Sequence, residues 1–236
     1  MCRFVAYIGE PVFLSQIVCE PAHSLLHQSL QAEHAKTVTN GDGFGIGWYG
    51  DRPEPAVYRE VMPAWSDENL LALCHTLRSP LFFAHVRAAT GTSIARQNSH
   101  PFRHGRWLFM HNGQIGGYAR VRRTLEAQLP ERLYMARKGA TDSELLFLMA
   151  LGHIERGEPV GRAVTGVFDD TVALMRERGI DEPLRFSAAL SDGARRHPGC
   201  GVAPRGLLMA GIAWPRGLRP LFGQSERSTT WPELAP

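Results

Sequence analysis

Cys2 directly follows the initiator methionine. Methionine aminopeptidase removes Met1 when the next residue is as small as cysteine, so the mature chain is expected to begin with a thiol beside a free α-amine. An α-amine titrates at about 7.7–8.0, well below lysine. It can therefore serve as a base near neutral pH, next to its own nucleophile. On position alone, an ordinary cysteine close to a terminus remains the alternative.

Four further segments hold residue types that fit around such a nucleophile. Gly41-Asp42-Gly43-Phe44-Gly45-Ile46-Gly47-Trp48 places glycine at every second residue, which is not the spacing of a dinucleotide loop. On a strand it leaves one face bare, either for a substrate or for a tightly crossing helix. Arg87 ends the apolar run before Ala88-Ala89-Thr90-Gly91. Its planar fork suits a carboxylate, and a structural ion pair is the alternative. His111-Asn112-Gly113 offers a side-chain amide and a glycine N–H that could converge on a developing oxyanion. Asn-Gly is equally a common turn. Thr141-Asp142-Ser143-Glu144 reads as a capped helix start with a capping box, and Asp142 could also hold a substrate ammonium.

The elements that must position these residues alternate irregularly. Strands are expected at 3–8, 43–49, 56–61, 81–87, 106–111 and 184–190, and helices at 21–34, 66–76, 115–129, 142–156 and 160–178. A strand at 3–8 would pin Cys2 to a sheet. The order predicts an α+β fold with antiparallel sheets covered by helices. From Ala194 to Pro236 the chain is rich in Pro, Gly and Arg without a clear period. The domain is therefore read as 2–193, followed by an atypical tail at 194–236, disordered or even out of frame, which would leave the strand at 184–190 as an open edge.

The chain has 236 residues and a net charge of +3, too small to argue for nucleic acid. No apolar run approaches the roughly 18 residues of a membrane span, and no signal peptide is visible, so a soluble cytoplasmic protein is expected. The four cysteines form no CxxC pair, which argues against a zinc or redox motif. Cys19 and Cys74 are expected to be buried small hydrophobes.

Taken in order, Cys2-Arg3, the loop around Gly41-Asp42-Gly43, His85-Val86-Arg87-Ala88-Ala89-Thr90, His111-Asn112-Gly113 and Thr141-Asp142-Ser143-Glu144 resemble the motifs of class II glutamine amidotransferases, N-terminal-nucleophile hydrolases. The chain is similar to the small stand-alone members, one branch of which hydrolyses a γ-glutamyl amide in ergothioneine biosynthesis. The resemblance implies a four-layer αββα sandwich, with Cys2 as nucleophile and Asn112 and Gly113 as oxyanion hole. By the same resemblance Arg87 and Asp142 clamp the glutamyl head group, Thr90 and Gly41 line the site, and His100 neighbours it. It implies a small-molecule substrate, glutamine or a γ-glutamyl amide, cleaved through a thioester with no metal or cofactor. The rivals are a glutaminase subunit feeding ammonia to a separate synthase partner, a non-catalytic binding module on the same fold, and a hydrolase holding a metal on His85, His100 and His111.

Overall fold

The computed structural model describes residues 2–30, 40–89, 93–194 and 208–213, the last segment as backbone alone. Two four-stranded antiparallel sheets form the frame. The first has the order β1 (Arg3–Phe13), β4 (Arg78–Val86), β2 (Phe44–Trp48), β3 (Ala56–Glu60). The second runs β5 (Phe102–His104), β6 (Trp107–Gln114), β7 (Arg185–Ser191), β8 (Leu208–Ala213).

Period-two alternation sorts the side chains of β4 into two environments. Phe82, Ala84 and Val86 pack with Phe44 and Ile46 of β2 against the helices α1 (Ser15–Val18), α2 (Leu25–Leu30) and α3 (Glu68–Thr76). Leu81 and Phe83 point the other way and meet Leu108 and Met110 of β6 and Ala189 of β7. The opposite face of the second sheet, with Phe109 and Phe186, packs on α4 (Tyr118–Glu126), α5 (Glu131–Ala136), α6 (Asp142–Glu155) and α7 (Val160–Glu177). The expected α+β class with antiparallel sheets is therefore found. Tyr49, just past β2, joins the sheets at one end: its hydroxyl proton is shared between the carbonyls of Arg106 (2.8 Å) and Ser191 (2.9 Å).

Glycine alternation in β2 turns out to serve neither a substrate floor nor a crossing helix. A Cβ on Gly45 would lie 2.1 Å from the carbonyl oxygen of His100, and one on Gly47 would lie 2.7 Å from the Pro101 ring and 3.2 Å from Leu108. The bare face lets the segment before β5, and the second sheet behind it, close onto β2.

Several sequence expectations need correction. Asn112-Gly113 is not a turn: β6 continues through both residues, paired with Ser187 and Phe186 of β7. The helix expected over 66–76 begins at Glu68, because Asp67 caps it with a carboxylate that accepts from Leu70 N at 2.8 Å. The strand at 184–190 is not an open edge, because β8 pairs with it from Arg185↔Ala213 to Leu190↔Leu208. Leu-Met-Ala-Gly-Ile-Ala carries no polar alternation, and a short apolar run cannot be assigned by periodicity. The rest of the expected tail, apart from Ala194, lies outside the described residues, as do Cys200, Thr90, Met1 and the end of the expected helix at 21–34. Among the described residues no helix is long and apolar enough to cross a membrane.

Candidate active site

Cys2 immediately precedes β1, whose Arg3 pairs with Val86 at the end of β4. Continuing that register brings Cys2 against the backbone just beyond β4. Its sulfur lies 3.4 Å from both the N–H and the carbonyl of Ala88. Burial pushes the thiol up from its ordinary value, while the Ala88 N–H and then the Arg87 charge pull it down.

The second sheet brings the amide. Asn112 in β6 shares the inter-sheet face with Leu108 and Met110, and its Nδ2 donates to the backbone carbonyl of Cys2 at 2.7 Å. Residues 110 positions apart in sequence are thus joined directly. Gly113 has no room for a side chain: a Cβ would sit 2.0 Å from Arg185 O and 2.6 Å from the His111 ring.

Arg87 is 4% exposed. Its backbone N–H donates to Gly43 O (2.8 Å), while its guanidinium donates to the carbonyls of Asp42 (3.4 Å) and Ser93 (3.2 Å). Burial lowers its pKa, opposed by Cys2 and Asp42. Asp42 shapes the same corner, since its carboxylate accepts the Ala89 N–H at 2.8 Å. Gly41 precedes it in the half-buried loop leading to β2.

Asp142 opens α6 behind β6. Its carboxylate accepts from Ile115 N (2.9 Å) and Ser143 N (2.8 Å), tying the helix start to the residue after β6. Thr141 caps the helix as expected, accepting from Glu144 N at 3.1 Å. The capping box is only half formed, because the Glu144 carboxylate accepts from Lys138 N and Gly139 N instead of turning back to Thr141.

Two of the three histidines of the sequence motifs also meet here. His85 and His100 are 1% and 6% exposed, their rings 4.3 Å apart, and among the described residues their four ring nitrogens have no hydrogen-bond partner. Burial lowers His85 to about 3, with help from Arg87 and His111, and also lowers His100 well below its ordinary value. His111 faces the helices, and among the described residues no group of three metal-binding side chains forms. Sequence reasoning missed Asp42, Ser143 and the Ala88 backbone. Asp42 was legible as the polar residue in the glycine-rich loop. The other two carry no local signal.

The sequence pattern of class II glutamine amidotransferases matches residues 15–201. The chain belongs to that family. It is 34% identical over 220 residues to the probable glutamine amidotransferase DUG3 of Saccharomyces cerevisiae, covering 82% of this chain and 62% of that protein. It is 38% identical over 117 residues to the gamma-glutamyl-hercynylcysteine sulfoxide hydrolase of Mycolicibacterium smegmatis, covering 49% of this chain and 52% of that one. The chain thus spans between about half and two thirds of the length of these curated relatives. A solved glutamine aminotransferase class-II domain protein from Silicibacter pomeroyi superposes with a TM-score of 0.63 at 33% identity, over 92% of this chain and 98% of the other.

Proposed function

We propose that this protein hydrolyses the side-chain amide of glutamine or of a γ-glutamyl amide through a thioester on Cys2. The observation that carries this reading is the meeting of thiol and amide: Asn112 reaches the Cys2 carbonyl at 2.7 Å, and the Ala88 N–H points at the sulfur. The name of the mycobacterial relative supports a γ-glutamyl substrate.

Removal of Met1 frees the Cys2 α-amine, which takes the thiol proton. The thiolate attacks the amide carbonyl carbon, and the negative charge moves to its oxygen. A primary amide nitrogen has two N–H groups, so Asn112 can hold Cys2 with one and the oxyanion with the other, beside the Gly113 N–H. The α-amine passes its proton to the leaving nitrogen, the C–N bond breaks, and ammonia or an amine departs. Water, deprotonated by the same amine, attacks the thioester and releases the acid with the thiol restored. Arg87 takes the substrate α-carboxylate and Asp142 its ammonium, with Gly41 lining the site. A carboxylate has about four lone-pair positions, so the two N–H bonds on Asp142 leave it capacity. No metal or cofactor takes part in these steps. We also propose that the layers stack as an αββα sandwich, supported by the apolar cluster between the sheets and one cluster on each outer face.

The test is intact mass before and after incubation with a diazoketone analogue of glutamine. The expected result is a chain lacking Met1 that gains one label, on Cys2, with no label on Cys2→Ala. A retained Met1 in a fully active protein, or labelling that persists in Cys2→Ala, would sink the mechanism.

A further inference from the structure

His111 precedes the oxyanion pair, and alternation sends its ring to the face of β6 opposite Asn112. There it is 1% exposed and bridges two other elements: Nδ1 lies 2.8 Å from Ser143 Oγ on α6, and Nε2 lies 3.2 Å from Arg185 O on β7. A carbonyl can only accept, so Nε2 carries the proton. Burial lowers the ring's pKa, against the pull of Asp142 and the Arg185 carbonyl, and favours the neutral form. Nδ1 is then an acceptor and takes the Ser143 hydroxyl proton. Every proton in the cluster is thereby assigned.

We propose that His111 and Ser143 are positioning residues that lock the oxyanion strand to the helix bearing Asp142. The inference rests on the reading of Asn112 as an oxyanion donor. One imidazole fixes β6 against β7 and α6 together, and Gly113 lacks a side chain because the ring and the Arg185 carbonyl occupy its space. The Ser143 hydroxyl also stands 3.4 Å from Asp142 Oδ1. With a neutral ring its proton points to His111. A protonated ring would donate through Nδ1 and turn that hydroxyl towards Asp142. The charged or titratable groups acting on His111 are Asp142 from α6, His85 from β4 and His100 from the segment before β5.

The experiment measures L-glutamine hydrolysis in Ser143→Ala, Asn112→Ala and the double variant. Ser143→Ala should lower kcat about tenfold with KM within about twofold, as expected of a misplaced catalytic donor. Asn112→Ala should lose about 10²–10³ in kcat, and the double variant should lose no more than Asn112→Ala alone, because Ser143 acts through it. Wild-type kcat in Ser143→Ala, or multiplied losses in the double variant, overturns the positioning role. Wild-type kcat in Asn112→Ala instead sinks the oxyanion reading on which it rests. Should Ser143→Ala fail to fold, Ser143→Cys, a weaker donor, takes its place. Independently of activity, ¹⁵N-labelled histidine spectra at pH 7 should give His111 as the Nε2–H tautomer. An Nδ1–H tautomer or an imidazolium overturns the assignment.

Discussion

Acidification should destabilise this protein through His85, by an amount that can be worked out. The ring is 1% exposed, its nitrogens have no partner among the described residues, and its folded pKa is about 3. In the unfolded chain the same ring titrates at about 6.5. The unfolded state therefore binds the proton more readily, and stability contributed by the neutral ring is complete above pH 6.5. It is lost as pH falls from 6.5 towards 3. At pH 5 the loss from this group is about 2 kcal/mol, since each unit below 6.5 costs about 1.4 kcal/mol. In a domain of this size that corresponds to a fall in Tm of about 4–8 °C. Carboxylates change little between pH 7.5 and 5, whereas His100 and His111 shift in the same direction as His85 and contribute to the wild-type slope. His85→Leu isolates one ring. It should flatten the Tm–pH curve by about 4–8 °C over that range, and somewhat more if removing His85 also relieves its neighbour His100, 4.3 Å away. The assay is differential scanning fluorimetry of both proteins from pH 7.5 to 5. Parallel curves would refute the reasoning and mean that His85 keeps an ordinary pKa in the folded protein.

Arg87→Lys keeps the charge but loses the planar fork; kcat/KM for L-glutamine should drop at least about tenfold, or about 1.4 kcal/mol, and an unchanged value would remove Arg87 from the head-group site. Gly45→Ala puts a Cβ 2.1 Å from the backbone oxygen of His100, so urea melts should lose about 1–3 kcal/mol or more. Gly50→Ala, with nothing among the described residues within 4 Å of the added atom, is its control, and equal stability of the two variants would contradict the close approach of the sheets.

What the sequence reveals depends on how local the cause is. Thr141 is recognisable as a cap because capping involves residues three apart, and the structure has that bond. Glu144, in the same motif, goes elsewhere, because the Lys138 and Gly139 N–H groups come within its reach only after the preceding loop folds. Dipeptide preference makes Asn112-Gly113 a turn, yet pairing with Ser187 and Phe186 of β7 holds both in a strand. That is tertiary context overriding propensity. The alternating glycines announce that something approaches β2, but not that it is the His100-Pro101 segment. Ser143 looks like an ordinary second residue of a helix, and its contact with His111 spans 32 positions that no periodicity connects. β8 is hidden for the opposite reason: its apolar run fits several environments equally well.

Among the described residues β1 lies at the edge of its sheet, paired on one side with β4, and the residue proposed to react sits just before its first position. Strand ends and edges open locally at far lower free energy than a whole domain unfolds. The thiol therefore belongs to a part of the molecule that can detach while the helical layer under α6 and α7 stays intact. The Asn112 bond to Cys2 and the Ala88 contact with its sulfur then act as clasps on that strand end as well as chemical partners. How long the protein keeps working under stress would be governed by the lifetime of this clasped state, a property of a few residues, and would be only loosely related to the melting temperature of the fold.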